Sequence, residues 1–325
     1  MIVVTGGAGF IGSNIVAALA GSGERVAVCD RLRQGEKWRN LAREAVAELI
    51  APEALPDWLT AHAAQVEAIV HMGAISSTTE RDVDLIVDVN FRLSQALWRW
   101  CALAGKRLIY ASSAATYGGG EQSFDDDPGR LPLLRPLNPY GWSKHLFDRW
   151  VAQTLGSGEP RPPQWVGLKF FNVYGPNEYH KGPMRSVVAQ KYPLAVAERA
   201  VTLFRSHRAD IPDGGQKRDF IYVRDCVGVV QWLLAHREVN GLYNLGTGRA
   251  RSFAELARAL FTALQRPARI EYVDAPAAVL AHYQYFTEAR MERLREAGYT
   301  QPFTSLEEGV ADYVQRYLSQ PDPYL

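Results

Sequence analysis

Tyr140 and Lys144 stand four positions apart in the stretch NPYGWSK, residues 138–144. Helical spacing places both side chains on one face. Upstream, the apolar stretch RLIYASS ends in Ser112 and Ser113, and either hydroxyl could reach a reacting oxygen. A serine that holds an oxygen, a tyrosine that exchanges a proton with it and a lysine beside the tyrosine form an acid/base group. This order of residues predicts chemistry at a carbon that bears a hydroxyl.

A glycine-rich turn precedes this group in the stretch VVTGGAGFIG. Its glycines lie between a predicted strand and a predicted helix, where they allow a tight turn and let the backbone approach a pyrophosphate at the helix N-terminus. A purely structural turn is the alternative, but the strand-to-helix context favours dinucleotide binding. The predicted cofactor contacts in this turn are Gly6, Gly9, Phe10, Ile11 and Gly12.

Asp30 ends the second predicted strand, where an acid would bind the adenosine ribose hydroxyls of NAD. The neighbouring Arg31, Arg33 and Lys37 would instead attract a ribose 2′-phosphate, since arginine grips phosphate with two donors and lysine adds a point charge. They could also be solvated loop charges. We favour NADP as the cofactor, with NAD as the alternative, and we include Asp30, Arg31 and Lys37 in the cofactor site.

The tyrosine needs an ionised form to accept a proton. A free tyrosine has a pKa of roughly 10, and moving that pKa to about 7 requires roughly 4 kcal/mol. A cation about 4 Å away supplies on the order of 4 kcal/mol at an effective dielectric constant of 20. Lys144 and an oxidised nicotinamide ring are both positive, so the sequence predicts that the pKa of Tyr140 is lowered.

The elements that must position these residues alternate between short β-branched strands and longer helices through the first half of the chain, including a long helix around residues 81–104 and a helix after Ser143. The stretch WVGLKFFNVYGP then predicts one further strand. This alternation predicts an α/β fold with a doubly wound parallel sheet of the Rossmann type. The second half predicts a smaller mixed α/β region. We expect residues 1–172 to form a dinucleotide-binding domain, together with residues 220–248, where the chain returns to it. Residues 173–219 and 249–325 are expected to form a substrate-binding domain.

Length and composition indicate an ordinary globular protein of 325 residues, 47% hydrophobic and 22% charged, with a formal net charge of +1. Its 36 basic and 35 acidic residues create no field that would attract nucleic acid. Glycines interrupt the apolar N-terminus and no basic segment precedes it, which argues against a targeting or membrane segment. The chain therefore predicts neither a nucleic-acid nor a membrane partner.

Cysteine and histidine usage gives no sign of a metal. The three cysteines, Cys29, Cys101 and Cys226, are scattered and form no paired spacing, so neither a disulfide framework nor a zinc site is indicated. His71 and His180 lie in motifs that are explained without a metal. We expect no metal ion and a cytoplasmic protein.

The sequence resembles the extended short-chain dehydrogenase/reductase family and its NAD-dependent epimerase/dehydratase branch. The shared pattern is T-G-x-x-G-x-x-G at residues 5–12, S-S at 112–113 and Y-x-x-x-K at 140–144. The narrower runs SSTTE, FNVYGP, HKG, RDFIYV, NLGTGRA and YQYFT extend the resemblance over almost the whole chain, toward enzymes that act on an ADP-linked heptose.

That resemblance implies a nucleotide-sugar epimerase of lipopolysaccharide inner-core biosynthesis. Such an enzyme inverts carbon 6 of an ADP-linked heptose by transient oxidation to a ketone with tightly held NADP or NAD. The resemblance also implies a homo-oligomer, with a pentamer as the suggested form, although no sequence feature sets the number. By the same analogy, Ala74 and Asn90 lie near the cofactor, and the substrate contacts are Ser113, Asn172, Lys181, Arg218 and Tyr283.

Inversion asks for a proton donor or acceptor on each side of the carbon. In the resembled family the lysine of HKG, here Lys181, has the second role; the alternative is that it only binds diphosphate. The forked guanidinium of Arg218 suits a diphosphate, which it can hold with two donors. The alternative is that Arg218 forms a structural ion pair with Asp219 or Asp225. Lys181 is therefore predicted to be catalytic together with Ser113, Tyr140 and Lys144.

Two positions depart from the resembled pattern. Pro183 replaces a serine after HKG and Gln190 replaces a histidine, and proline lacks both hydroxyl and N–H. These changes put the identity of the sugar in question more than the reaction type. A UDP-hexose 4-epimerase therefore stays an alternative, and a non-enzymatic dinucleotide sensor a remote one. A dehydratase is disfavoured because Ala114 and Ala115 stand where that group carries an acid pair.

Overall fold

A computed structural model describes residues 1–276 and 283–325. Seven strands form one sheet in which each neighbouring pair is parallel, in the order β3-β2-β1-β4-β5-β6-β10. Its strands are β1 Ile2–Thr5, β2 Val26–Cys29, β3 Glu48–Ile50, β4 Ala68–His71, β5 Arg107–Ser113, β6 Trp165–Phe170 and β10 Gly241–Leu245. The predicted doubly wound fold is confirmed, and the strand order reverses between β1 and β4, where such sheets bind ligands.

Helices cover both faces of this sheet because its strands are apolar on both sides. Val4 of β1 packs in one cluster with Ile15, while its neighbour Val3 packs in another with Trp98. The helices of the described chain are α1 Phe10–Gly21, α2 Leu55–Ala61, α3 Val83–Ile86, α4 Leu93–Ala104, α5 Pro139–Ser157, α6 Val187–Val196, α7 Val223–Ala235, α8 Phe253–Ala263, α9 Glu292–Glu296 and α10 Leu306–Tyr313.

The second half of the chain adds two small sheets. One has the order β11-β9-β7, with β7 Asn172–Tyr174, β9 Lys217–Tyr222 and β11 Ala250–Ser252; the other pairs β8 Val201–Phe204 with β12 Ile270–Val273. A separate hydrophobic cluster joins these sheets to α6, α8 and α10. This mixed α/β region agrees in kind with the predicted second region, while the domain boundaries given above remain a prediction.

Several elements differ from the sequence expectation. The stretch WVGLKFFNVYGP was expected to form one strand, but the chain leaves the large sheet after Phe170 and β7 pairs with β9 in a small sheet. The helix expected after Ser143 begins at Pro139, with Asn138 accepting a hydrogen bond from Gly141 N at 2.8 Å as its N-cap. Tyr140 therefore lies in the first turn of α5.

Candidate active site

The glycine turn connects β1 to α1 at the point where the strand order reverses. Gly6 has φ +66°, and a Cβ on it would lie 2.6 Å from Gly73 N. A Cβ on Gly12 would lie 2.1 Å from Gly6 O. Gly9 is the N-cap of α1 and has no side chain to occupy the first N–H groups of the helix. The turn therefore fits a dinucleotide pyrophosphate, which needs close approach to backbone N–H groups.

Asp30 is held beside this turn. Its Oδ2 accepts from Ala8 N at 2.9 Å, and its Oδ1 accepts from Arg31 N at 2.7 Å and from Lys37 Nζ at 2.6 Å. Arg31 forms an exposed ion pair with Glu53, and Arg33 is exposed with φ 53°. Lys37 is thus the cation of this segment that neutralises Asp30, so the position offers an acid for ribose hydroxyls and a cation for a 2′-phosphate.

Ser113 and Tyr140 lie together at the carboxyl end of β5. Ser113 Oγ accepts from Ala115 N at 3.1 Å and lies close enough to Tyr140 to influence the pKa of its phenol. Burial raises the pKa of Tyr140, and the hydrogen bond with Ser113 opposes that rise. The expected lowering of this pKa is therefore wrong for the protein alone, because loss of hydration outweighs the stabilisation of the phenolate.

Lys144 lies one turn further along α5 and is 3% exposed. Its Nζ donates to Ala111 O at 2.8 Å, which orients the ammonium toward the carboxyl end of β5. Burial lowers the pKa of Lys144 to about 8, and the negative charge of Asp148 opposes this effect. Lys144 is consequently still charged near neutral pH, with two further N–H donors available for a ribose.

A buried ion pair lies behind the catalytic candidates. Asp148 Oδ2 accepts from Lys169 Nζ at 2.7 Å and from Ser112 Oγ at 2.7 Å, and Lys169 also donates to Thr116 Oγ1 at 2.7 Å. Both charged side chains are 1% exposed. Ser112 is thereby turned into the protein, which leaves Ser113 as the serine beside Tyr140.

Sequence reasoning missed Asp148 and Lys169. Asp148 follows Lys144 by four positions in the same helix, so the spacing placed it on the face of Tyr140 and Lys144. Lys169 was a charged residue inside the apolar run WVGLKFF, and a charge in a strand of a parallel sheet is a signal for a buried partner. The contact between α5 and β6 that joins the two residues was not visible in the sequence.

Asn90 connects the loop after β4 to α5, the helix that carries Tyr140 and Lys144. Its Nδ2 donates to Ile75 O and to Ser143 Oγ, both at 3.0 Å, and its Oδ1 accepts from Ile75 N at 2.8 Å. Asn90 belongs to a π-helical turn, Val87–Arg92, between α3 and α4, and is fully buried. The predicted cofactor neighbour Ala74 lies in the loop that Asn90 holds and is half-buried.

His71 is explained by hydrogen bonding within the fold. Its Nδ1 lies 2.6 Å from Thr5 Oγ1 and its Nε2 lies 2.9 Å from Ser94 Oγ, which donates to Asn90 O at 2.7 Å. Burial lowers the pKa of His71 to about 3. A neutral imidazole therefore joins the ends of β1 and β4 to the helix that carries Asn90.

Lys181 lies beside the glycine turn. Its Nζ is 5.3 Å from the centre of the Phe10 ring, a cation–π distance. Burial lowers the pKa of Lys181, and the charge of Glu178 opposes this effect. Gly182 next to it has φ +55°. The half-buried ammonium is thus placed near the cofactor turn, which is compatible with either proposed role of Lys181.

Arg218 and Tyr283 lie together in the second region. The Arg218 guanidinium carbon is 5.5 Å from the Tyr283 ring centre and 5.6 Å from that of Phe253. Within residues 1–276 and 283–325 the arginine forms no ion pair with Asp219 or Asp225. Those carboxylates bind Thr247 and Thr304 instead. Arg218 keeps its charge available, and Asn172, at the start of β7, is exposed.

The departures Pro183 and Gln190 contact each other. Gln190 Nε2 donates to Pro183 O at 3.0 Å and to Arg185 O at 2.7 Å. The amide therefore holds the loop by its backbone carbonyls, which any residue at position 183 would supply. In the described part of the chain no group of three or more His, Cys, Asp or Glu side chains could hold a metal ion. Nor does any described helix have the length and hydropathy to cross a bilayer.

The dinucleotide turn and the Ser113, Tyr140 and Lys144 group at one edge of a doubly wound sheet are those of short-chain dehydrogenase/reductase enzymes. The pattern of the NAD dependent epimerase/dehydratase family matches residues 2–246. The chain belongs to this family and therefore to enzymes that depend on a nicotinamide dinucleotide.

Relatives over the full length narrow this further. The chain is 48% identical over 329 residues, covering 100% of both chains, to ADP-L-glycero-D-manno-heptose-6-epimerase of Nitratidesulfovibrio vulgaris strain DP4. It is 45% identical to the protein of the same name from Fusobacterium nucleatum, again over 100% of both. The crystal structure of Helicobacter pylori ADP-L-glycero-D-manno-heptose-6-epimerase is 29% identical with a TM-score of 0.79, covering 97% of this chain and 95% of that one.

A second kind of epimerase has a similar structure. Thermus thermophilus UDP-glucose 4-epimerase in complex with NAD is 27% identical with a TM-score of 0.77, covering 96% of this chain and 97% of that one. Sequence identity is thus higher to the heptose epimerases, while the backbone is close to both groups.

Proposed function

We propose that this chain is a nucleotide-sugar epimerase that interconverts ADP-D-glycero-D-manno-heptose and ADP-L-glycero-D-manno-heptose at carbon 6. The full-length relatives at 42–49% identity support the sugar. The observation that carries the reaction type is the placement of Ser113 at the end of β5 beside Tyr140, one helical turn from the buried Lys144. We also propose a cytoplasmic location in lipopolysaccharide inner-core biosynthesis.

In the proposed mechanism, Ser113 and Tyr140 hold the carbinol oxygen of carbon 6 between them. Tyr140 accepts the hydroxyl proton when one epimer is oxidised, and returns a proton when that same epimer is formed again. Lys144 keeps a positive charge in the buried site and is held by Ala111 O, so it favours the ionised tyrosine without leaving its position. When bound, the nicotinamide group supplies the transient acceptance and return of a hydride, and its positive charge favours the phenolate.

Inversion requires the ketone to be reduced from its other face. Lys181 is our candidate for the second proton donor, because its ammonium is half-buried beside Phe10 and burial lowers its pKa. Arg218, Tyr283 and Asn172 are proposed substrate contacts, with the Arg218 guanidinium binding diphosphate. Lys181→Met should lower kcat at least about a hundredfold, in the range of one acid/base group, while the dinucleotide stays bound. Near-normal turnover would leave Lys181 as a substrate contact only.

For the cofactor we propose NADP, with NAD as the alternative. Lys37 neutralises Asp30 at 2.6 Å and could also contact a 2′-phosphate. The remaining proposed contacts are Gly6, Gly9, Phe10, Ile11, Gly12, Arg31, Ala74 and Asn90. We propose a homo-oligomeric assembly, a pentamer by resemblance.

The test is turnover without added cofactor. Purified protein is incubated with ADP-D-glycero-D-manno-heptose and, separately, with UDP-glucose, and the sugars are separated by chromatography. We expect the heptose to be converted to its carbon-6 epimer and UDP-glucose to be unchanged. The Tyr140→Phe variant serves as the matched control and should convert neither. Conversion of UDP-glucose alone would replace the heptose proposal with a hexose 4-epimerase.

A further inference from the structure

The segment 322–325 lies against residues 39–43, which follow Asp30 and Lys37 along the chain. Asp322 accepts from Arg39 at 3.0 Å through Oδ1 and from Arg43 at 2.8 Å through Oδ2. Arg43 also donates to Tyr324 O at 3.1 Å, and the Arg39 guanidinium carbon lies 4.3 Å from the Tyr324 ring centre. Four contacts thus join the segment 322–325 to the cofactor side of the molecule.

The same segment contacts the loop that carries Lys181. Tyr179 OH donates to Pro323 O at 2.8 Å, and the rings of Tyr179 and Tyr324 are 5.1 Å apart and nearly perpendicular at 77°. Leu325 N donates to Asn177 Oδ1 at 3.0 Å. Tyr179 is two residues before Lys181, so these contacts fix the start of its loop.

One further residue links the short helix that contains Lys37 directly to the loop that carries Lys181. Asn40 Nδ2 donates to Ala8 O in the glycine turn at 2.9 Å and to Asn177 O at 3.1 Å. Asn40 and Arg39 belong to the same short 3-10 helix, Glu36–Leu41, which also contains Lys37. The segment 322–325 therefore covers a junction between the Lys37 helix and the Lys181 loop.

The contacts of this junction differ in weight. The side chains of Arg39, Arg43 and Asp322 are 34–54% exposed, and ion pairs this exposed contribute little. Tyr324 is only 6% exposed and packs its ring between a guanidinium and a second ring. Burial of an aromatic ring outweighs two exposed ion pairs. Tyr324 is thus the main contact and Asp322 an accessory one.

We propose that Tyr324, assisted by Asp322, is a positioning residue that holds the Lys181 loop against the Lys37 helix. This inference rests on the proposed function, because it assigns a role to the placement of Lys181 beside the cofactor turn. Tyr324 contacts neither Lys181 nor the glycine turn in the described contacts, so it acts through Tyr179. Its hydroxyl is not needed for ring packing, whereas its ring is.

The test compares Tyr324→Ala with Tyr324→Phe in the full chain. Limited trypsin digestion with mass spectrometry measures cleavage of the Lys181–Gly182 bond relative to cleavage elsewhere. We expect Tyr324→Ala to speed cleavage at this bond at least about tenfold, and to lower kcat for the ADP-heptose about tenfold with the bound dinucleotide unchanged. Tyr324→Phe should restore both values, and Asp322→Asn should change them less than threefold.

Arg316→Ala is the control, because Arg316 forms an exposed ion pair with Asp312 away from this junction. Equal cleavage at Lys181–Gly182 in Tyr324→Ala and the unaltered protein would overturn the proposal. So would a parallel increase at every tryptic site, which indicates general destabilisation. If the unaltered protein did not convert the heptose, the proposed function would fail, and the cleavage rates alone would decide whether the segment 322–325 holds the loop.

Discussion

At the scale of single residues, the proposed role of Lys144 predicts that its charge limits the pH range of the reaction. Burial lowers its pKa from 10.5 to about 8. The ammonium is present below that pH and is lost as pH rises through about 8, so kcat should fall on the alkaline side. The opposing influence is the carboxylate of Asp148, which favours the charged lysine.

Asp148→Asn should therefore move the alkaline fall in kcat to lower pH by about one unit, in the range that one nearby charge produces. The substitution removes the anion that favours charged Lys144 and leaves Lys169 as an uncompensated cation. The measurement is kcat between pH 6 and 9.5. Arg149→Gln, at the next and exposed position of α5, should leave the profile unchanged. An unshifted alkaline limb in Asp148→Asn would show that another group controls it.

Residue spacing was enough to select Ser113, Tyr140 and Lys144, but it could not give the state of each side chain. A pKa depends on burial and on partners that are distant in sequence, so in the protein alone burial raises the pKa of Tyr140, whereas the predicted lowering also counted the charge of the nicotinamide. The hydrogen bond that turns Ser112 into the protein, from its Oγ to Asp148 36 positions away, likewise could not be seen in the spacing. The functional roles of these residues stay predictions.

At the scale of elements, the π-helical turn Val87–Arg92 joins the loop after β4 to α5. π-Helical turns are frequent at functional sites because they turn a side chain out of the regular helix pattern. Here the turn brings Asn90 to Ile75 and Ser143. The sequence predicted one long helix over residues 81–104, since hydrophobic periodicity does not distinguish one inserted residue in a helix.

Asn90→Ala should lower the free energy of unfolding by about 2–4 kcal/mol, because it leaves the N–H and C=O of the half-buried Ile75 without their partner, at about 1–2 kcal/mol for each, the lower part of the range for a buried group. Urea unfolding gives this value. Ser143→Ala is the matched control, since it removes one member of the same network and should cost about 1 kcal/mol. A loss below that of Ser143→Ala would mean that the loop at Ile75 is held by other contacts.

Element types were predicted best where strands and helices alternate. The break between β6 and β7 was missed because Asn172 is the single polar residue among the apolar Phe170, Phe171 and Val173, and one polar residue does not by itself end a strand pattern. β3, β8 and β12 were also missed; they are three or four residues long, and none of them is buried along its whole length. Short edge strands depend on tertiary pairing more than on local pattern.

At the scale of the whole molecule, composition and alternating elements predicted a doubly wound protein with a second region. They could not predict that the segment 322–325 lies against residues 36–43, nearly the whole chain away. Such contacts follow from the path of the chain between two regions, and no local pattern reports them. The same holds for the pairing of Asn40 with Asn177.

A dinucleotide in the proposed site would contact β1, the Lys37 helix and α5. Its binding should therefore raise the free energy of unfolding of the whole protein. For protein freed of bound cofactor, a ligand at a hundred times its Kd adds about 2.7 kcal/mol. Because Lys37 lies 2.6 Å from Asp30, we expect NADP to raise Tm more than NAD at equal concentration. Lys37→Met should abolish most of that difference, since Asp30 would then face the 2′-phosphate without a cation.

Differential scanning calorimetry measures both shifts, with Arg149→Gln as the control. A larger shift with NAD would assign NAD as the cofactor, and equal loss of both shifts in Lys37→Met would indicate that Lys37 supports the segment rather than the phosphate.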